Sequence, residues 1–192
     1  MKIHSVKFNF IMNFIMAASS IVFPLITFPY VSRVLMAAGN GKVATASAVI
    51  TYFNMFASLG IPTYGIRACA KVRDDRDKLS QTVQELLIIN SVTMLITCAA
   101  FVFTVALVPE FAAEKELYVI NGIGMVLNMF AITWLYNALE QYAYITVCNL
   151  LVKLVSLVLM LLMVKSPDDY ILYGGITVFA SSASCVFNFV YA

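Results

Sequence analysis

The chain has 192 residues, of which 62% are hydrophobic and 11% charged, with a formal net charge of +2 and a mean hydropathy of +0.91. An ordinary globular domain carries roughly 25% charged residues, so too little polar surface is present to coat a water-soluble fold. The near balance of 12 Lys/Arg against 10 Asp/Glu is also a weak footprint for nucleic acid.

Six long apolar stretches follow one another at residues 8–31, 43–61, 83–108, 117–138, 143–164 and 171–192. Each approaches the ~20 residues that a helix needs to cross a hydrocarbon core. Lipid offers no hydrogen bonds to the backbone, and the stretches are too continuously apolar for barrel strands, so helix is the state that satisfies them. The sequence therefore predicts an all-α, polytopic membrane protein with six transmembrane helices in a single unit over residues 1–192.

The first stretch follows Lys2 and Lys7. It outruns the roughly 7–15 apolar residues of a signal-peptide core, so it is read as a mature helix. Pro24 and Pro29 lie near its far end, where each removes one backbone donor and favours a bend that serves a gate. Gly39 and Gly41 are assigned to the loop that follows. The second stretch is the shortest, holds Tyr52 and Asn54, and is expected to close at Gly60 and Pro62. Then comes a charged loop with Arg67, Lys71, Arg73, Arg76 and Lys78 interleaved with Asp74, Asp75 and Asp77, leading into a helix start near Ser80 and Glu85. With Lys2 and Lys7 that side carries seven basic residues against four (Arg33, Lys42, Lys115, Lys165) on the other, which by the positive-inside rule puts the N-terminus in the cytoplasm.

Gly122 and Gly124 open the fourth stretch, where small residues let helices approach. The turn after it carries Trp134, Tyr136, Glu140, Gln141, Tyr142 and Tyr144, an interfacial belt in which Glu140 is also placed to pair with a loop arginine as a gate contact. Cys69, Cys98, Cys148 and Cys185 form no metal spacing and read as small soft hydrophobes. Asn13, Asn54, Asn90, Asn128, Asn149 and Asn188 fall at membrane depth, where an asparagine serves mainly as glue between helices, at ~0.6 kcal/mol on average.

Lys153 differs from these, because a charge near mid-helix costs roughly 2.5–3.5 kcal/mol on insertion scales. It is expected to face protein or water, either as a structural partner or as a substrate contact. Asn149, one turn earlier, shares its face. Arg33 and Arg67 flank the first and second stretches; each reads as an interface anchor or as a fixed cation suited to phosphate. No P-loop, HExxH, CxxC, GxSxG or GxGxxG motif is present, His4 has no partner group, and no catalytic site, metal or cofactor is predicted.

Ordered motifs carry a resemblance over essentially the whole chain: Phe28-Pro29-Tyr30-Val31-Ser32-Arg33-Val34-Leu35, Tyr52-Phe53, Leu59-Gly60-Ile61-Pro62-Thr63-Tyr64-Gly65-Ile66-Arg67, Lys78-Leu79-Ser80, Glu85-Leu86, Ile89-Asn90, and Trp134-Leu135-Tyr136-Asn137-Ala138-Leu139-Glu140-Gln141-Tyr142. Together they resemble the N-terminal half of bacterial polysaccharide-export flippases, which move undecaprenyl-diphosphate-linked O-antigen or capsule repeat units. Two departures stand out: Met36 replaces the usual glycine after Leu35, and Ala68 the frequent acid after Arg67.

The resemblance implies one six-helix lobe of a two-lobe transporter in the inner or plasma membrane, with a C-terminal lobe outside these residues and the chain a fragment of a longer one. It implies a polyprenyl-diphosphate-linked oligosaccharide as substrate, with Arg33 and Arg67 at matching basic positions; Lys153, with Asn149 on its face, joins these substrate contacts from the chain's own polar pattern. Pro24, Pro29, Pro62 and Glu140 take gating roles, and polymerase and glycosyltransferases are neighbours. It also implies coupling to a proton or sodium gradient and no enzymatic step. Two other readings stay open: a non-transporting scaffold of the export machinery, and an exporter of another lipid or drug.

Overall fold

The computed structural model describes residues 6–191, and every regular element among them is helical. Lys2 and His4 lie outside the described residues. In chain order the elements are α1 (Val6–Val34), α2 (Met36–Ser58), α3 (Ile61–Lys71), α4 (Arg76–Leu107), α5 (Pro109–Ala113), α6 (Lys115–Asn128), α7 (Thr133–Ala138), α8 (Tyr142–Met163) and α9 (Tyr170–Tyr191), the last preceded by a 3-10 turn at Pro167–Asp169. They make six segments long and apolar enough to cross a membrane: Lys7–Val34, Met36–Lys71, Arg76–Leu107, Lys115–Ala138, Tyr142–Met163 and Pro167–Val190.

The joints differ from the sequence reading in four places. The first two segments meet at a tight corner, where Leu35 is fully buried and Met36 takes a left-handed φ of 55°. Gly39 and Gly41 therefore lie inside α2 rather than in a loop. A Cβ on Gly39 would sit 3.3 Å from the Pro167 carbonyl oxygen and 3.4 Å from Tyr170 Cβ, so its bare backbone lets α2 pack against the turn before α9. The second segment does not end at Gly60: Leu59 and Gly60 break it with φ of 42° and 75°, and helix resumes at once as α3. Pro62 falls in the first turn of α3, where a missing N–H costs nothing. The third segment starts at Arg76, earlier than Ser80, because the Asp75 carboxylate accepts the Lys78 N–H at 3.2 Å and caps the helix. The fourth segment breaks over residues 129–132, a stretch with neither glycine nor proline. Pro24 and Pro29, by contrast, both sit within an uninterrupted α1.

One turn of α4 supports both broken segments. Thr93 donates its hydroxyl to the Ala57 carbonyl at 2.7 Å, and Asn90 donates its amide to the Met129 carbonyl at 3.1 Å. These carbonyls lie at the two breaks, and lipid would leave them unsatisfied at a cost of several kcal/mol. Beyond the breaks, α3 packs against α7 so closely that a Cβ on Gly65 would lie 2.6 Å from the Trp134 ring.

The helices are arranged so that α8 lies between α1 and α9, while α6 packs on α9 and α2 on α4. Three buried clusters fill the bundle: Trp134, Tyr136 and Ile145 with α3 and α4; Val43, Met94, Phe101, Leu117 and Met125; and Val31, Leu35, Met160 and Ile176. The outer surface is apolar too, with Phe14, Leu25, Leu95 and Phe103 each more than 60% exposed. That distribution suits lipid as the solvent, since hydrocarbon outside removes any penalty for exposing leucine.

Candidate functional site

Lys153 projects from α8 toward α1. Its Nζ donates to Ser19 Oγ at 2.9 Å and to Ser20 Oγ at 3.1 Å, and it lies 5.9 Å from the Phe23 ring centroid. Both serine hydroxyls donate in turn to the Met16 carbonyl, at 2.7 and 3.1 Å, so their lone pairs are turned to the ammonium. An ammonium has three N–H donors; two are used, and no carboxylate pairs with Lys153 among the described residues. The lysine opens onto a cleft of about 410 Å³ between α1, α8 and α9, whose lining is mainly apolar (Phe23, Phe28, Leu157, Met160, Ile176) with Ser20, Thr27, Ser156 and Tyr173 as its polar groups. Pro24 lines the same cleft. Its ring lacks the N–H that a regular helix would direct at the Ser20 carbonyl.

The other predicted site residues do not converge there. Asn149 shares the α1-facing side of α8, but its amide donates to Ile145 C=O at 2.8 Å and approaches Met16 Sδ at 3.9 Å, and it does not line the cleft. Arg33, at the end of α1, and Arg67, on α3, are exposed and make no ion pair with a described residue. Pro29 is exposed in α1, and Pro62 is exposed at the start of α3.

Glu140 occupies the turn between α7 and α8. It accepts from Arg73 Nη1 at 3.2 Å, linking that turn to the one between α3 and α4. Its φ is 56°, and the Gln141 N–H reaches back to Tyr136 C=O at 2.9 Å while its own N–H bonds Asn137 C=O at 3.2 Å. This is a Schellman closure with a glutamate at the position that glycine usually fills.

A second charged cluster, at the opposite end of the bundle, is absent from the sequence reading. Lys42 of α2 pairs with Glu114, which immediately precedes α6, and Tyr170 of α9 donates to Glu114 at 2.7 Å, with Lys42 4.7 Å from the Tyr170 ring centroid. The Lys42 ammonium and the Tyr170 hydroxyl, in that order, hold the Glu114 carboxyl below its usual range. No local pattern announces this contact, since Glu114 and Tyr170 are 56 residues apart.

Six helices long and apolar enough to cross a membrane, an apolar exterior and a cation on an interior cleft that has no carboxylate partner among the described residues define a polytopic helical membrane protein. The chain belongs to the polysaccharide biosynthesis protein family, whose model matches residues 6–192. It is 26% identical over 182 residues to a protein of Escherichia coli (strain K12) named "Putative O-antigen transporter", covering 95% of this chain and 43% of that one. A Shigella dysenteriae protein of the same name is 24% identical over 165 residues, covering 86% of this chain and 41% of its own length. The chain thus spans about two fifths of the curated relatives it matches. No solved structure gives a significant match.

Proposed function

We propose that this chain forms the N-terminal lobe of a transporter that moves undecaprenyl-diphosphate-linked oligosaccharide units across the cytoplasmic membrane for surface polysaccharide assembly. The observation that carries the reading is Lys153: a cation at membrane depth, held by two hydroxyls, with no carboxylate partner among the described residues and facing an open cleft. Such a charge is costly to insert and is characteristic of substrate pathways, and a diphosphate supplies the missing negative partner. The polyprenyl tail stays in lipid while the sugars enter the cleft, and rocking against a second lobe exposes the head group to each side in turn. Arg33 and Arg67, near opposite ends of the bundle, meet the head group at entry and release. The N-terminus faces the cytoplasm on the seven-to-four count of basic residues. The Arg73–Glu140 pair then lies on the cytoplasmic side as a gate contact. Translocation changes the place of the substrate and breaks no bond, so no catalytic group is assigned.

The test is flipping of a fluorescent polyprenyl-diphosphate oligosaccharide in proteoliposomes that hold this chain joined to a family C-terminal lobe. Wild-type flipping that falls at least tenfold in Lys153→Met supports the reading. Equal flipping by both proteins removes Lys153 from the pathway, and no flipping by folded wild type points to another substrate or to a scaffold.

A further inference from the structure

A second recess, of about 270 Å³, lies where the start of α1 meets the turn into α8, and it is lined by Asn9, Phe10, Asn13, Glu140 and Tyr142. Two of the apolar spans begin beside it, at Lys7 and Tyr142. It therefore sits at the depth where a bilayer passes from hydrocarbon to headgroups. It shares no lining residue with the Lys153 cleft.

Glu140 is the charged residue of this lining. An ionised carboxylate only accepts, and the contact with Arg73 engages its Oε1, which leaves Oε2 to accept from another donor. Asn9 is 7% exposed, and its Oδ1 is buried with no hydrogen-bond partner among the described residues. An unpaired buried acceptor is costly, and a modest rotation about the broad terminal torsion of asparagine turns that oxygen onto a donor placed in the recess. The Asn13 amide and the Tyr142 hydroxyl can each donate and accept. Beside Glu140, at 3.2 Å, stands Arg73 Nη1. A guanidinium has five N–H donors, and this contact occupies one.

We infer that this recess binds the headgroup of an aminophospholipid of the phosphatidylethanolamine kind. The primary ammonium lies between Glu140 Oε2 and Asn9 Oδ1, and the phosphate turns toward Arg73. The acyl chains run down α1 past Phe10 and Phe14, which are 70% and 64% exposed. An ammonium brings three N–H donors and a positive charge to two acceptors that want them, and the neighbouring charges of the headgroup match the adjacent carboxylate and guanidinium. A sugar or other neutral head brings no charge to answer Glu140, and a purely anionic head meets its carboxylate. A choline head keeps the charge but has no N–H for the Asn9 oxygen. The Arg73–Glu140 pair ties together the turns before α4 and before α8; the bound lipid adds α1 to that tie.

Thermal unfolding of the purified chain in lipid nanodiscs tests this. Phosphatidylethanolamine replaces phosphatidylcholine stepwise, while the acyl chains and the phosphatidylglycerol fraction are held constant. A lipid that binds only the folded state raises the midpoint in a saturable way. The expected result is such a rise with phosphatidylethanolamine, a smaller one with each methyl group added to its nitrogen, at least a threefold higher half-saturating mole fraction in Glu140→Gln, and loss of the rise in Asn9→Leu. A midpoint indifferent to the exchange overturns the site. So does a rise of unchanged size and half-saturation in Glu140→Gln, which identifies a bulk effect of the bilayer. Where Asn9→Leu fails to fold, Glu140→Gln decides alone, since that side chain is 43% exposed. The measurement involves no transport, so its outcome is distinct from that of the flipping assay.

Discussion

Replacing Lys153 with leucine separates a cation kept for a ligand from one kept for the fold. On insertion scales lysine at mid-helix stands at roughly +2.5 to +3.5 kcal/mol and leucine at about −0.3 to −0.6, so the exchange favours insertion by about 3–4 kcal/mol. Against this stand the two hydrogen bonds to Ser19 and Ser20. Bonds between membrane helices average ~0.6 kcal/mol and reach ~1.7, so the pair contributes about 1–3 kcal/mol. The net effect is between neutral and about 3 kcal/mol in favour of leucine. Lys153→Leu is thus expected to insert and unfold no worse than wild type, by glycosylation mapping of α8 in microsomes and by thermal unfolding in nanodiscs. In the two-lobe protein it loses transport, while Lys153→Arg, which keeps the charge, recovers part of it. Unfolding of Lys153→Leu well below wild type, with transport per folded molecule unchanged, refutes the reasoning and makes the lysine a strut between α1 and α8.

Other expectations follow from the end contacts and the close approach of α3 to α7. Gly65→Ala forces a Cβ into the rigid Trp134 ring at 2.6 Å and should destabilise by about 1–3 kcal/mol, read as a lower midpoint that Trp134→Leu in the same chain partly restores. The Glu114 carboxyl is depressed by Lys42 and Tyr170, so its contribution is complete above the ordinary carboxylate range of about 4.3 and disappears as pH falls through the lower folded value. The stability gap between wild type and Glu114→Gln should therefore be present at neutral pH and close in acid; a gap that persists unchanged through acid contradicts the assignment. Arg73 and Glu140 are 44% and 43% exposed, so breaking their pair should change stability by no more than about 1 kcal/mol. For a gate contact, Arg73→Glu alone alters transport and the double exchange Arg73→Glu with Glu140→Arg restores it.

The six spans were legible because lipid imposes one rule on every residue between its faces, and runs of apolar residues obey it locally. Lys153 was legible for the same reason, as the violation of that rule. Its serine partners were not, since Ser19 lies 134 residues away and nothing near position 19 marks it as an acceptor for a charge. Gly60 did signal a joint, yet no local residue marks the helix as resuming at Ile61, because Pro62 is as compatible with starting a helix as with ending one. The break over residues 129–132 was invisible: no residue there forbids helix, and the group that makes the break tolerable is Asn90, 39 residues earlier. The cluster of Lys42, Glu114 and Tyr170 escaped for the same reason, as three ordinary residues from three separate elements.

Asn90 and Thr93 lend hydrogen bonds to carbonyls that an unbroken helix would satisfy from within. If α2 straightened into α3, or α6 into α7, the Ala57 or Met129 carbonyl would regain a donor four residues ahead, and the α4 side chain would be released. One bond replaces another of similar strength, so the bent and straight forms of each segment differ little in hydrogen-bond energy and are set apart by packing. Since both loans come from the same turn of α4, the two joints share a creditor. Settling one frees that turn to shift, and the other joint is then no longer held where it was.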